Sequence, residues 1–398
     1  MYDLPALEIS DTLPTIDVLM DARGWTPGGA VSRTPPGAEL EALREAAPDF
    51  RAEIERSGTA SGVVTCDLIT LPYPTRFGFW RAITSRAPFV SITNRMLVVQ
   101  WEDGERIRTL LWEPSDHERG EFTPYFSALG AGDPMPTPGV GRAARLTAKV
   151  LPQSALVSRH GSVLGHLKAL GIDPADVDYL SFDHLHTQDV RRLIGTRAPA
   201  PDLGAADGPV EPWFPNARLI VQAREWDALR HLHPFQAAWF QPQTYVDLPP
   251  DRITLVDGDV QLGPGVALLA TPGHTAGNQS LVVRTGTGIW TSSENGIAAE
   301  SWHPAASQLP GIRDWAAAWG HEVVLNANTV EFASWQYNHM VAESLIADLE
   351  PQGVFPQCFP SSELTPSALP GTRPTRTFGA ITHGTVRASS LSPAVARS

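Results

Sequence analysis

Histidine presents a neutral nitrogen to metal ions more often than any other side chain. His184 and His186 stand one residue apart where an apolar run, Val177 to Phe182, gives way to polar residues. In an extended segment alternate side chains share a face, so both imidazoles can point at one cation. A third imidazole, His274, stands in Thr271-Pro272-Gly273-His274-Thr275-Ala276-Gly277, between the apolar runs Leu268 to Ala270 and Leu281 to Val283. Three imidazoles are the usual protein share of a catalytic zinc site, which keeps one position open for water.

The two segments, His184-Leu185-His186-Thr187-Gln188-Asp189 and Thr271 to Gly277, resemble the metallo-β-lactamase superfamily, and the resemblance covers most of the chain. It implies an α/β protein built as an αβ/βα four-layer sandwich. Its strand ends would carry HxHxDH, then TPGHTxG, then a bridging aspartate, then a last histidine. His184, His186 and His274 match the histidines that hold the first zinc. The other half departs from the pattern. Gln188 replaces the aspartate, Asp189 replaces the following histidine, and Glu294 falls at the bridging position. The expected last strand, Gly353 to Gln357, runs into Cys358-Phe359-Pro360-Ser361-Ser362-Glu363 with no histidine. The expectation is one firmly bound Zn2+, with a second ion possible on Asp189 and Glu294, helped by Cys358 or water.

Such a centre implies a metal-dependent hydrolase of a small ester, lactone or amide, working through a metal-bound hydroxide. Asp189 follows the ligand pair closely enough to act as general base or water orienter. Two other readings stay open. His184, His186 and Glu294 also make the two-histidine, one-carboxylate set of a mononuclear iron oxygenase. The losses at Gln188 and after Gln357 suit a catalytically silent member that binds a ligand.

Each residue also has a plainer role. Asp189 opens a short helical pattern to Ile194 and can cap it; Asp183 can orient an imidazole from behind; Cys358 can be a small buried apolar residue. A second pair, His231 and His233, lies near Phe235, Trp239, Phe240 and Tyr245, which can wall an apolar pocket. His303, His339 and His383 are lone histidines.

The chain of 398 residues has 42% hydrophobic residues, enough for a sizeable core. Its formal charge of -13 argues against nucleic acid or an anionic membrane as partner, leaving a small-molecule substrate. Two cysteines, Cys66 and Cys358, are too few for a disulfide framework. No secretory signal and no membrane-length apolar run is visible, so a cytoplasmic location is expected. Residues 1–60 read as an N-terminal extension with a charged helical pattern from Glu39 to Arg56, residues 61–364 as the metallo-β-lactamase-like domain, and 365–398 as an irregular tail. Gly/Pro-rich loops are expected at 130–141 and 199–212.

Overall fold

A computed structural model describes residues 1–26, 34–104, 106–130, 157–326 and 330–388. The expected loop at 130–141 falls almost wholly outside them. Long antiparallel partners β1 (Gly62–Pro74) and β2 (Phe89–Asp103) open the first sheet, and β3 (Arg106–Trp112) pairs with β2. Short β4 (Ser158–Arg159) clips onto β1, and β5 (Tyr179–Ser181) lies parallel beside β3. The expected loop at 199–212 contains a small separate hairpin of β6 (Pro199–Ala200) and β7 (Ala205–Pro209). The first sheet then continues in parallel with β8 (Arg218–Gln222) and β9 (Ile253–Val256).

A second sheet follows: β10 (Val260–Gly263), β11 (Val266–Ala270), β12 (Gln279–Thr285) and β13 (Gly288–Ser293) are antiparallel neighbours, and β14 (Cys358–Pro360) lies parallel to β13. The chain finally returns to the first sheet, β15 (Ser362–Thr365) on β2 and β16 (Thr382–Gly384) on β1. The last strand of the second sheet thus begins at Cys358, where the sequence placed its end. Gly353, at φ 74°, and Pro356 break an extended run before it.

Side-chain alternation builds the layers. Leu97, Val99 and Trp101 of β2 face Leu268, Leu281 and Val283 of the second sheet, in one buried cluster. Their neighbours Met96 and Val98 point the other way, against Val163 and Leu167 of the helix Val163–Leu170. That helix is capped by the Ser162 side chain and ends at Gly171 in the left-handed conformation, as its sequence suggests. On the far side, Ala267, Leu269 and Val282 meet Leu43, Ala47, Phe50 and Ile54 of the helix Pro36–Ser57. The order is helix, sheet, sheet, helix, an αβ/βα four-layer sandwich.

Packing crosses both domain boundaries drawn from sequence. The spacing of Leu43, Ala47, Phe50 and Ile54 gives the Pro36–Ser57 helix one apolar stripe, and the outer face of the second sheet covers it. Within the segment read as an extension, the helix Pro36–Ser57 therefore supplies an outer layer of the sandwich. Beyond residue 365, Ile381 enters the core between the sheets, Phe378 packs on Trp290 and Phe359, and β16 pairs with β1. A few well-placed apolar residues tie this Pro- and Thr-rich segment down. Among the described residues no helix is long and apolar enough to cross a membrane.

Candidate metal centre

Strands β3, β5 and β8 are parallel neighbours with Trp112, Ser181 and Ile220 in register, so their carboxyl ends open on one edge. Glu113, His184 and Glu225 follow those ends. From the second sheet, β11 delivers His274 and β13 delivers Glu294 to the same place.

The three sequence-predicted histidines converge. Their ring centroids lie 4.5 Å (His184 and His186), 4.3 Å (His184 and His274) and 5.0 Å (His186 and His274) apart. One nitrogen from each lies within 4.8 Å of the others, and all three side chains are buried. Each ring also has an outer partner on one nitrogen. His184 Nδ1 meets Asp183 Oδ1 at 2.5 Å, His186 Nε2 meets Gln236 Oε1 at 2.6 Å, and His274 Nδ1 meets Asn326 Oδ1 at 3.0 Å. Such bonds fix tautomer and ring angle, leaving the opposite nitrogen as an acceptor. His184 Nε2 and His274 Nε2 are buried with no hydrogen-bond partner. Buried polar atoms are rarely left so, and a divalent cation is a fitting occupant for nitrogens that face one another.

The electrostatics are uneven around the triad. Burial and the neighbouring imidazoles hold His186 well below the usual histidine range, and burial with His184 pushes His274 down to about 3. Burial also works against a charged His184, but the Asp183 carboxylate outweighs it and lifts this ring to about 9.

Backbone geometry brings the ligand loops together. Glu225 Oε1 accepts from Leu185 N at 2.9 Å, while Oε2 accepts from Thr275 Oγ1 at 2.6 Å and Gly277 N at 3.1 Å, so one buried carboxylate clamps both loops. Gln279 adds a second clamp: its N–H donates to Asp183 O, and its Nε2 donates to Ser181 Oγ and Phe182 O. Gly273 has φ 155°, and a Cβ there would collide with the backbone of Gln336, which explains the glycine before His274. His339, one of the lone histidines, bonds Pro272 O through Nδ1 at 2.8 Å and supports the same turn.

Glu294 does join the triad. Its Oε2 lies 3.6 Å from His184 Nε2, it lines the cavity described below, and burial pushes its carboxyl up to about 7. Asp189 does not. Its carboxylate accepts from Arg191 Nε at 2.9 Å and Nη2 at 2.6 Å, from Arg191 N at 3.2 Å, and from Arg119 Nε at 3.5 Å. The carboxylate expected to act as base or ligand thus faces two guanidinium groups and not the triad. Cys358 packs with Trp302, Val323 and Met340 in the core, the buried apolar role open to it from sequence, and burial drives its thiol far up.

Sequence reasoning missed Glu225, Gln236, Gln279, Asn326 and Glu113. Glu113 lies on the cavity wall, its Oε1 accepts from Asp183 N at 2.5 Å, and burial followed by the Asp183 charge pushes its carboxyl far above the usual range. Glu113 (φ 58°) and Thr187 (φ 63°) are non-glycine residues in the left-handed region, and both line the site. Such strain, about 1–3 kcal/mol per residue, collects at functional sites. Nothing in the local sequence marks these residues, because each acts on a partner 40 or more positions away.

A cavity of about 350 Å3 opens on His184 and His186. Ile69, Leu71, Tyr73, Phe126, Trp239 and Ile297 give it an apolar wall. Of the aromatic residues expected to form such a wall, Trp239 does so; Phe240 meets His186 edge to face, Tyr245 is buried with its hydroxyl on Gln188 O, and Phe235 faces outward. His233 accepts from Phe235 N, and neither it nor His231 lines the cavity.

No known family profile matches the chain. An N-acyl homoserine lactonase of a Bacillus species is 29% identical over 137 residues, which cover 34% of this chain and 44% of that protein. The N-acyl homoserine lactonase AttM of Azorhizobium caulinodans is 34% identical over 131 residues, 30% of this chain and 41% of the relative. The match thus spans less than half the length of these curated relatives. Among solved structures, the dizinc quorum-quenching lactonase AidC aligns with TM-score 0.46 at 11% identity, covering 81% of this chain and 98% of that one. A hydrolase of the β-lactamase superfamily, AbOPH, aligns with TM-score 0.43 at 15% identity, covering 82% and 97%. The resemblance drawn from the two histidine motifs is borne out by the lactonase relatives, the four-layer sandwich and the converging imidazoles.

Proposed function

We propose that this protein is a metal-dependent hydrolase that opens a small lactone carrying an apolar arm. The observation that carries the reading is the triad of buried imidazoles whose inner nitrogens face one another while their outer nitrogens are pinned. His184, His186 and His274 would hold the ion, and neutral imidazoles suit Zn2+. When bound, such an ion supplies Lewis acidity toward a carbonyl and lowers the pKa of a water.

The chain's own groups do the rest. Glu294, beside His184 and raised to about 7, would accept a proton from the attacking water and return it to the leaving alkoxide. This role replaces the one expected of Asp189. The wall from Ile69 to Trp239 takes the hydrocarbon portion of the substrate and excludes water from it. The relatives' printed activity, on N-acyl homoserine lactones, names the first substrates to try. The third imidazole in the cluster favours this reading over a two-histidine iron oxygenase. We extend the proposal to a reducing, cytoplasmic setting, which the two buried free thiols support.

The test is hydrolysis by the purified chain of a panel of acyl homoserine lactones, simple lactones, esters and amides, with zinc and iron measured in the same preparation. Lactone opening that chelator abolishes and Zn2+ restores is the expected result. Iron with oxygen uptake, or a metal-free protein that binds lactones unchanged, would replace it with one of the other two readings.

A further inference from the structure

We infer that the site takes one metal ion per chain and that the described residues offer no place for a second, because the side chains at the second ion's positions are committed elsewhere. The inference rests on the metal-dependent reading and departs from the dizinc state printed for the similar lactonase AidC.

A second divalent ion needs imidazole or anionic oxygen donors with a free lone pair directed at it. At the positions that would supply them, this chain has four different groups, each otherwise engaged. Gln188 is a neutral amide whose Nε2 donates to Ser115 Oγ at 3.0 Å, and its backbone carbonyl accepts from the Tyr245 hydroxyl, which fixes the side chain's base. Asp189 keeps a carboxylate, only 2% exposed, but Arg191 holds both oxygens and Arg119 lies at 3.5 Å. Asp202 ties the same two arginines together, through Arg119 Nη2 at 2.6 Å and Arg191 Nη2 at 2.7 Å, so the cations at Asp189 are themselves anchored. Ser361 stands just after β14, where the last histidine is wanted, and donates its hydroxyl to Asp183 Oδ2 at 2.8 Å. Cys358 is turned into the core.

Three further acids on the cavity wall have partners of their own. Glu113 accepts from Asp183 N, Asp116 pairs with Arg192 at 3.2 Å, and Glu121 lies 3.8 Å from Arg159. Glu294 is the remaining wall carboxylate, and it sits against His184. Among the described residues, the cluster with donor atoms close enough for an ion is His184, His186 and His274. A second ion would have to displace guanidinium groups from a buried carboxylate. Positive charge is thus already built in where other members of the fold would recruit it from solution.

The test strips the full chain with chelator, titrates it with Zn2+ by calorimetry, and measures zinc per chain by elemental analysis after gel filtration. One equivalent is expected, unchanged in Asp189→Asn and in Gln188→Ala. Two equivalents in the unaltered chain overturn the inference, and so does a drop below one in a folded Asp189→Asn or Gln188→Ala protein. One equivalent without hydrolysis of any lactone or ester leaves the count standing and removes the proposed function. No zinc uptake at all removes both.

Discussion

Asp183 and Asp189 stand six positions apart on one loop, 1% and 2% exposed, and their partners give them opposite parts. Asp183 meets His184 Nδ1 with one oxygen and accepts from Glu294 N and Ser361 Oγ with the other. It gathers the β5, β13 and β14 ends around the triad. Asp189 meets guanidinium groups and gathers residues at the protein's rim, Asp202 among them. Residue type and burial are equal in the two cases; what differs is whether a ring nitrogen or an arginine arrives from the other side. A carboxylate beside a metal motif is therefore not a ligand until its partners are known.

The comparison can be broken most forcefully at the triad. His186→Ala should lower zinc affinity by more than the roughly 10–100-fold that removing an outer partner costs, with turnover lost and the thermal midpoint of the metal-free protein nearly unchanged. Retained zinc-dependent turnover would sink the site.

Next comes Glu225→Ala, which strands three buried donors, Leu185 N, Thr275 Oγ1 and Gly277 N. At ~1–3 kcal/mol for each unsatisfied group, several kcal/mol of the stability measured by urea unfolding should vanish. A change below about 1 kcal/mol would mean the loops hold without the clamp.

Outer partners rank third. Gln236→Ala and Asn326→Ala should each weaken zinc about 10–100-fold in a competition titration with a chromophoric chelator. Unchanged affinity would show that packing alone fixes the rings.

On the other side of the comparison, Asp189→Asn should cost about 1–3 kcal/mol in urea unfolding, since it removes a buried charged acceptor. Hydrolysis should fall less than about tenfold, a barrier change under ~1.4 kcal/mol. A thousandfold loss would return Asp189 to the chemistry. The smallest effect belongs to His233→Ala, expected within about 0.5 kcal/mol and with zinc affinity unaltered.

Much of the site was legible because its ligands are local. The HxH pair and the Pro-Gly-His turn are each written within a few residues, and short apolar runs mark the strands that carry them. The supports were not legible. Glu225 reaches Leu185 across 40 positions, Gln236 reaches His186 across 50, and Asn326 reaches His274 across 52, at separations that follow no period. Asp189 was assigned to the metal because Arg119, 70 residues earlier, cannot be placed from sequence. Arg191, two residues on, is the one visible warning: Asp189 accepts from its N–H, while Val190 takes the N-cap position of the helix that follows. The N-terminal helix was seen as a helix but not as a layer, because an apolar stripe does not say which sheet will cover it.

His184 and His186 belong to one sheet and His274 to the other, so any group shared by all three rings is a rivet through the sandwich at its open end. Pulling the sheets apart and releasing that rivet are then a single event. Were a divalent ion that group, its free concentration would set part of the protein's resistance to heat, rising with the logarithm of that concentration once the site is filled.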